Sequence, residues 1–341
     1  MPVIDKNISL LPFNTFHFDC LAGHFTIIQT EEDIHQIIQQ GLLKDKQAII
    51  VGGGSNILLT KDLPLHLIIK NEIKGIQVLQ ETPDDVLVEV GAGENWHEFV
   101  MHCIQYDWGG LENLSLIPGT VGAAPMQNIG AYGVEIKDCL AYVKAIDKES
   151  TEEKIFSKEQ CNFGYRESIF KKEAKDQYII TRVGFRLSKT NHVFHVGYGA
   201  IQQVLSEMKI NNLTLRAVSD AVISIRKSKL PDPAVLGNAG SFFKNPEISI
   251  EQYNQLQILF PNIPSFPINE YKIKVPAAWL IEQCGWKGKK VGNVGVHAHQ
   301  ALVLIHYGNG KGEDVLMLAK QIQQSVIDTF NITLQMEVNV I

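Results

Sequence analysis

The chain contains 341 residues, of which 45% are hydrophobic and 20% are charged, and its formal net charge is −6. This composition is typical of a globular protein of two or three domains, and it argues against a basic surface for nucleic acid or anionic membranes. No apolar run approaches the ~20 residues of a membrane helix, and no signal peptide is recognisable. Five scattered cysteines without a C-x-x-C spacing favour a reducing compartment over disulfides or a zinc site. We therefore expect a cytoplasmic protein.

Strand-like and helical patterns alternate in the first third of the chain. Residues 31–41, EEDIHQIIQQG, predict an amphipathic helix that ends at Gly41. The run QAIIV at 47–51 predicts a buried strand that leads into GGGSN, and VLVEVGAG at 86–93 predicts another. Residues 95–106 predict a helix, because one face gathers the apolar residues Trp96, Phe99, Val100, Cys103 and Ile104.

The same mixture continues to the end of the chain and indicates the α+β class. Apolar residues at helical spacing predict helices in 215–230, 249–260, 276–285 and 312–330. Alternating or continuous apolar residues predict strands in 177–188, 299–306 and 332–340. In the last of these strands Glu337 falls on the polar face, away from the face of Leu334 and Val338.

Two segments are rich in glycine and nearly free of charge: VGGGSN at 51–56 and IPGTVGAAPMQNIGAYG at 117–133. Glycine allows a ligand to approach the backbone closely, and the exposed N–H groups of such loops can hold phosphate without charged side chains. Neither segment has the lysine of a Walker A loop, and Ile57 and Trp96 stand where the third glycine of a Rossmann fingerprint is required. A lone glycine triplet is more often a tight turn, but two such segments favour a nucleotide ligand.

Several further stretches carry a family resemblance over essentially the whole chain. They are FNTF at 13–16, FGYRESIF at 163–170, GNAGSFFKNP at 237–246, PAAWLIEQCGWKG at 276–288 and MEV at 336–338. Together with the glycine-rich segments, they resemble the longer form of the UDP-N-acetylenolpyruvoylglucosamine reductases, bacterial FAD enzymes of peptidoglycan synthesis. GNAGSFFKNP and YRES are specific signals of this resemblance, whereas GGGSN alone is a weak signal.

The resemblance implies an α+β fold with a two-part FAD-binding domain of the p-cresol methylhydroxylase (vanillyl-alcohol oxidase) type and a C-terminal α+β substrate-binding domain. The implied boundaries are 1–70 for the first FAD-binding subdomain, with a return strand at 331–341, then 71–220 for the second subdomain and 221–324 for the substrate-binding domain. FAD would be held mainly by the two glycine-rich segments. The implied cofactor residues are Gly52, Gly53, Gly54, Ser55, Asn56, Pro118, Gly119, Thr120, Gly122, Ala123, Asn128, Gly130, Ala131 and Arg226.

For the chemistry, the resemblance implies reduction of the enolpyruvyl group of UDP-N-acetylglucosamine enolpyruvate, with NADPH as the reductant. Arg166 would hold the substrate carboxylate, Ser241 would donate a proton to C2, and Glu337 would act as the partner of Arg166. From the residues alone, Arg166 would instead pair with Glu167, Ser241 would lie in a turn, and Glu337 would face solvent on an edge strand.

The remaining implied substrate contacts are Tyr165, Tyr198, Lys229, Asn245 and Gln300. Arg166, Glu337 and the flavin are expected to meet, although they lie far apart in sequence. His297 and His299 are interpreted as structural, because two histidines without a third ligand do not make a metal site. No metal, membrane or nucleic-acid partner is expected.

Two other functions remain open on the residues alone. A flavin oxidase of an alcohol or hydroxy acid would have the same superfamily fold. A non-catalytic nucleotide-binding module would also use uncharged glycine-rich loops. In such a module, loss of Arg166, Ser241 or Glu337 would have no effect beyond stability.

Overall fold

The computed structural model describes residues 2–43 and 47–341, which form two compact units, each discontinuous in sequence. Unit 1 comprises Met1–Ile8, Leu21–Gly53 and Leu63–Ser228, and unit 2 comprises Ser9–Cys20, Gly54–Asp62 and Lys229–Ile341. Within the described ranges, no helix combines the length and apolar character required to cross a bilayer.

Helices and strands are mixed along the whole chain, as the sequence predicted. The α-helices are α1 Glu31–Gln39, α2 Trp96–Gln105, α3 Ile201–Glu207, α4 Leu215–Lys229, α5 Ile250–Leu259, α6 Ala277–Gln283 and α7 Gly312–Phe330. Short 3-10 helices occupy Leu11–Phe13, Glu112–Leu114, Val121–Ala123, Ile136–Asp138 and Ile169–Lys171. The strands are β1 Asp5–Ser9, β2 Leu21–Ile28, β3 Gln47–Val51, β4 Ile57–Leu58, β5 Leu63–Asn71, β6 Ile76–Glu81, β7 Asp85–Gly91, β8 Gly130–Ala131, β9 Val134–Glu135, β10 Leu140–Asp147, β11 Glu153–Ser157, β12 Tyr178–Ser188, β13 Gly237–Ser241, β14 Glu247–Ser249, β15 Phe266–Pro267, β16 Lys272–Lys274, β17 Lys290–Val291, β18 Val294–Val296, β19 Val303–His306 and β20 Asn339–Val340. Helix α4 continues across residue 221, and the two units divide at its end.

Unit 1 contains two main sheets. The first has the order β1-β2-β5-β3, with β2 and β3 both parallel to β5. Helix α1 begins at Thr30, whose hydroxyl accepts from the N–H of Asp33, and it buries Ile34, Ile37 and Ile38. It ends before Gly41, which has φ +70°. The sequence therefore predicted both ends of this helix correctly.

The second sheet of unit 1 is antiparallel, with the order β11-β10-β12-β7-β6. Helix α2 begins at Asn95, whose side chain accepts from the N–H of Glu98. Its aromatic residues Trp96 and Phe99 pack against Phe185 of β12, with ring centroids 6.0 and 5.1 Å from that ring. This core fixes the start of α2 beneath the second glycine-rich segment, which lies in the same unit.

Unit 2 is built on the antiparallel sheet β13-β19-β18-β17, against which α7 packs, and on the smaller sheet β14-β16-β15. Near the end of the chain, β20 pairs in parallel with β4. The predicted helices α5, α6 and α7 are all confirmed, and Gly285 follows α6 with φ +74°.

Two strand predictions are wrong in extent. Regular strand structure in 332–340 is limited to β20, because Met336 makes only an isolated bridge to Phe243. Glu337 is 9% exposed instead of lying on a solvated face. In 299–306 the strand begins at Val303, so His297 and His299 precede it in a loop.

Candidate active site

The two glycine-rich segments contact each other in unit 1. A Cβ atom added at Gly52 would lie 2.2 Å from Oγ1 of Thr120, and one at Gly53 would lie 2.8 Å from Cα of Gly119. Both distances are shorter than van der Waals contact, so the close approach requires glycine. Because β3 ends at Val51, the contact lies directly beyond the carboxyl end of a parallel strand.

The start of α2 holds the beginning of the second segment. The N–H of Trp96 donates to Gly119 O at 3.1 Å, and its indole Nε1 donates to Leu114 O at 2.9 Å. Farther along, Gly122 donates its N–H to Ala92 O at 2.8 Å, and a Cβ there would lie 2.5 Å from Cβ of Ala92. Gly122 is therefore required for packing inside the protein. Pro118 and Ala123 are exposed on the same segment, and Ala131 is half-buried in β8.

Asn128 shapes the far half of this segment from the inside. It has φ +47° and is fully buried. Its Nδ2 donates to Glu135 Oε2 at 3.0 Å and to Gly164 O at 3.1 Å, while its Oδ1 accepts from the N–H of Lys137 at 3.2 Å. The amide thus ties the segment to the loop that carries the YRES motif.

Arg166 is located against this same segment. Its Nη2 donates to Gly130 O at 2.7 Å, and its guanidinium carbon lies 5.7 Å from the ring centroid of Tyr165. With φ +56°, Arg166 has a left-handed backbone conformation that is uncommon for a residue with a side chain. Glu167 forms an ion pair with Lys172. Unit 1 therefore brings the expected carboxylate-binding arginine and the expected flavin-binding segment together.

Arg226, on α4, contacts both ends of the segment. Its Nε donates to Leu116 O at 3.2 Å, and its guanidinium also hydrogen-bonds the Tyr132 hydroxyl. Burial lowers the pKa of Arg226, and burial raises the pKa of Tyr132 despite the neighbouring cation. Tyr198, which is half exposed, packs edge-on against Tyr132 with ring centroids 6.5 Å apart.

In unit 2, Ser241 ends β13 and is exposed, next to Gly240 with φ +68°. Ser241 is paired with Val303, and the adjacent N–H of Phe242 donates to Leu302 O at 2.7 Å. Gln300 precedes this pairing, and its Oε1 accepts from the N–H of Leu302 at 3.3 Å. The backbone therefore places Gln300 and Ser241 on neighbouring chain segments.

Glu337 is hydrogen-bonded to the residue that follows Ser241. Its N–H donates to Phe242 O at 2.8 Å, and its carbonyl accepts from Nδ2 of Asn56 at 3.4 Å. The carbonyl of Asn56 accepts from both N–H and Nδ2 of Asn339, at 3.1 and 3.0 Å. Unit 2 therefore joins Ser241, Glu337 and the Gly54–Asn56 part of the first glycine-rich segment.

The other expected substrate residues are less enclosed. Lys229 is the exposed last residue of α4. Asn245 is half-buried, and its Oδ1 accepts from the N–H of Ala277 at 2.9 Å, at the start of α6. His297 and His299 lie with ring centroids 5.5 Å apart, and no group of three potential ligands forms a metal site within residues 2–43 and 47–341.

Thr15 and His97 also make contacts at the site, although the sequence predicted no role for either of them. Thr15 lies in FNTF, and its Oγ1 donates to Asn238 O at 2.6 Å while its N–H donates to Gly54 O at 3.2 Å. It therefore links GGGSN to the GNAGSFF motif within unit 2, and the FNTF motif was the available signal. Nδ1 of His97 accepts from the N–H of Leu116 at 3.0 Å. No sequence pattern indicates that bond.

Comparisons with known proteins agree with this geometry. A family model described as a FAD binding domain matches residues 23–155, and one described as the C-terminal domain of UDP-N-acetylenolpyruvoylglucosamine reductase matches residues 232–341. The UDP-N-acetylenolpyruvoylglucosamine reductase of Flavobacterium johnsoniae is 49% identical, with 99% of each chain covered. The chain belongs to this reductase family.

Two further relatives extend the comparison. The reductase of Pseudomonas putida is 45% identical, with 98% of each chain covered. The crystal structure of the reductase from Thermus caldophilus aligns with a TM-score of 0.70 at 20% identity and covers 100% of this chain and 99% of that one, which shows a shared fold. The protein is thus a flavin-dependent oxidoreductase with a FAD-binding domain followed by the C-terminal domain of the reductase family.

The residues of the site fit FAD. The matched domain includes all of GGGSN and all of the second glycine-rich segment. Residues 117–133 contain no ionisable side chain other than Tyr132, which suits a diphosphate held by backbone N–H groups. The close packing at Gly52, Gly53 and Gly122 gives these segments a defined shape, as a preorganised cofactor site requires.

Proposed function

We propose that this protein reduces UDP-N-acetylglucosamine enolpyruvate to UDP-N-acetylmuramate with NADPH, a step of peptidoglycan synthesis. The observation that carries this proposal is the hydrogen bond from the Glu337 N–H to Phe242 O, which joins the chain segments of Glu337 and Ser241 within the match to the C-terminal reductase domain. The match to that domain favours the reductase over an alcohol or hydroxy-acid oxidase, and it favours an enzyme over a non-catalytic module.

Bound FAD would supply the hydride-transfer chemistry that connects NADPH to C3 of the enolpyruvyl group. The role of the glycine-rich segments is to hold it. Backbone N–H groups around Gly52, Gly53 and Thr120 face a diphosphate in this proposal, and Gly54–Asn56 continue the same loop. Asn128 acts by holding the shape of the second segment, because its side chain is fully engaged inside the protein. Arg226 supports the segment at Leu116 and Tyr132.

Arg166 has the task of binding the carboxylate of the enolpyruvyl group. A guanidinium stays charged and can hold a carboxylate through two parallel hydrogen bonds. Its bond from Nη2 to Gly130 O fixes the side chain beside the flavin-binding segment. Charge that develops on the carboxylate during reduction is stabilised by a cation already in position.

Ser241 has the task of delivering a proton to C2. Hydride arrives at C3 with its electron pair, so C2 becomes carbanion-like and takes a proton from the hydroxyl. An ordinary serine hydroxyl is a weak acid, but a carbanion is a strong enough base to accept its proton. Exposure of Ser241 at the end of β13 leaves its hydroxyl accessible to a ligand. Glu337, which is largely buried, assists in its protonated form by donating a hydrogen bond to the developing enolate.

The nucleotide part of the substrate requires further contacts. We assign the diphosphate to Lys229, whose exposed ammonium acts as a point charge, and to Asn245. Tyr165, Tyr198 and Gln300 complete the substrate set. The domain boundaries of 1–70 with 331–341, 71–220 and 221–324 remain part of this proposal.

An anaerobic spectral titration tests the function. The purified protein is expected to show an oxidised flavin spectrum that NADPH bleaches and that UDP-N-acetylglucosamine enolpyruvate then restores. Restoration by oxygen but not by the enolpyruvyl sugar would indicate an oxidase. A protein that takes up no FAD would contradict the proposal at its first step.

A further inference from the structure

We propose that His97 is a positioning residue for FAD, and that its imidazole sets the conformation of Leu116 at the entrance to the second glycine-rich segment only while Nδ1 is unprotonated. The proposal rests on the proposed role of that segment in holding the cofactor. It adds a pH-sensitive contact in helix α2, outside both glycine-rich segments.

The backbone around Leu116 is held from both sides. Its N–H donates to Nδ1 of His97 at 3.0 Å, and its carbonyl accepts from Nε of Arg226 at 3.2 Å. Leu116 has φ +59°, a left-handed conformation that costs free energy for a residue with a side chain. A conformation of this kind persists when surrounding contacts fix it, and these two hydrogen bonds do so.

The position of Leu116 matters because residues 117–120 follow it directly. Pro118, Gly119 and Thr120 are proposed to contact FAD, and Gly119 is bonded to Trp96 immediately before His97. At the start of α2, Trp96 therefore hydrogen-bonds Leu114 and Gly119, and the next residue, His97, hydrogen-bonds Leu116. Loss of the hydrogen bond between His97 and Leu116 would remove one of the two contacts that fix the left-handed conformation of Leu116. Leu116 lies directly before the second glycine-rich segment, so a change in its backbone would alter the start of that segment.

The hydrogen bond also fixes the protonation state of His97. An imidazole nitrogen that accepts a hydrogen bond carries no proton, so neutral His97 carries its proton on Nε2. Protonation of Nδ1 would turn the acceptor into a donor facing the N–H of Leu116. The contact would then become repulsive.

The surroundings favour the neutral form. Burial lowers the pKa of His97 below its ordinary value of 6.5, and Arg226 and Lys227 on α4 act in the same direction against Glu98 on α2. Residues 114–120 add no ionisable side chain. Because the folded pKa is lowered, the contact is fully present above pH 6.5 and is lost as the pH falls through the folded value. FAD affinity is therefore expected to weaken on the acid side.

The test compares His97→Asn with His97→Leu. The Oδ1 atom of asparagine can occupy the place of Nδ1 and accept the same hydrogen bond, but it does not titrate. Leucine keeps a similar volume and cannot accept. The FAD dissociation constant is measured by equilibrating each holoprotein, separating free flavin by ultrafiltration and quantifying it, from about pH 8 down to the lowest pH at which the His97→Asn holoprotein remains folded, because the pKa of His97 lies below its ordinary value.

At pH 8, His97→Asn is expected to retain the wild-type dissociation constant, and His97→Leu is expected to weaken FAD binding about tenfold, the value of one hydrogen bond. On acidification, the wild type is expected to lose affinity relative to His97→Asn. His102→Asn provides a matched control, because His102 lies on the same helix and packs against Tyr106 and Trp108. This variant should follow the wild-type pH profile.

A second measurement does not depend on the cofactor. In two-bond 1H–15N correlation spectra of histidine-labelled protein at pH 8, His97 is expected to show the tautomer protonated on Nε2. Observation of the Nδ1–H tautomer would overturn the proposal, as would identical pH profiles of the wild type and His97→Asn. If His97→Leu fails to fold, the profile of His97→Asn still decides the question. Absence of flavin from the wild type at pH 8 would count against the proposed function, whereas normal flavin with indistinguishable variants would count against His97 alone.

Discussion

Gly52 and Thr120 lie so close together that a Cβ atom on the glycine would be 2.2 Å from the threonine Oγ1. The obstacle is a side-chain atom, and the next nearest atom, Cβ of Thr120, is 3.4 Å away. At the neighbouring contact, a Cβ on Gly53 would meet Cα of Gly119 at 2.8 Å, and that obstacle is backbone. The two glycines are therefore required for different reasons, which substitutions can separate.

Gly52→Ala is expected to lower the free energy of unfolding by about 1–3 kcal/mol, the usual cost of an overpacked contact. Thr120→Ala in the same chain should recover most of that loss, because it removes Oγ1 and leaves an ordinary Cβ contact. Gly53→Ala should cost more and should not be recovered by any side-chain substitution at 119 or 120. Urea denaturation of the wild type, of the two single glycine variants and of each of them combined with Thr120→Ala measures these differences. Equal rescue of both alanine variants by Thr120→Ala would contradict the assigned contacts.

Arg166→Lys is expected to reduce kcat/KM by a factor of about 10 to 100, because lysine cannot hold a carboxylate in bidentate fashion. It also loses the Nη2 bond to Gly130, so FAD content must be measured alongside the rate. Glu167→Gln serves as the control, since glutamine keeps the shape of the neighbouring side chain and removes the charge that pairs with Lys172 at a half-exposed site. If this neighbouring change slows the reaction as much as Arg166→Lys does, the arginine has no special role with the carboxylate.

Lys229→Ala is expected to raise KM for the enolpyruvyl sugar and to leave kcat close to the wild-type value. A lysine that binds a diphosphate interacts equally with the ground state and the transition state, so its loss weakens binding uniformly. Lys227→Ala, two residues earlier on the same helix and also exposed, should change neither constant. Steady-state kinetics with varied sugar at saturating NADPH measures both. A fall in kcat at unchanged KM would exclude the assigned role.

The sequence predicted the elements with strong periodicity and the segments with unusual composition. Helix α7 matches its predicted range, because apolar residues recur along it at helical spacing between clear boundaries. The glycine-rich segments were recognised because long uncharged stretches are rare in exposed loops. These are local properties, and a single sequence shows them directly.

The sequence is a poor guide where contacts between segments that are distant in sequence determine the burial and the hydrogen bonds of a residue. Alternation placed Glu337 on a polar face, but the backbone bond to Phe242 and the bridge from Met336 to Phe243 bury it. Period-two alternation does not reveal which neighbour a strand will have. The side-chain amide of Asn128 joins the second glycine-rich segment to Glu135 and to Gly164, and no sequence pattern indicates these hydrogen bonds.

Ser241→Ala offers the sharpest test of the chemistry. If the hydroxyl delivers the C2 proton, FAD binding and flavin reduction by NADPH should remain near normal, because neither step uses that proton. Flavin reoxidation by the enolpyruvyl sugar should slow by a factor of about 10² to 10⁴, the usual contribution of a positioned acid. Stopped-flow absorbance of the flavin follows the two half-reactions separately.

Ser241→Cys distinguishes proton donation from ligand positioning. A thiol can still donate a proton, so this variant should retain more reoxidation activity than the alanine variant. Ser241 is exposed at the end of β13, so neither substitution opens a core cavity that would lower the rate through misfolding. Equal slowing of both half-reactions would mean that Ser241 only positions ligands. Reoxidation of Ser241→Ala at the wild-type rate would remove this residue from the proton transfer.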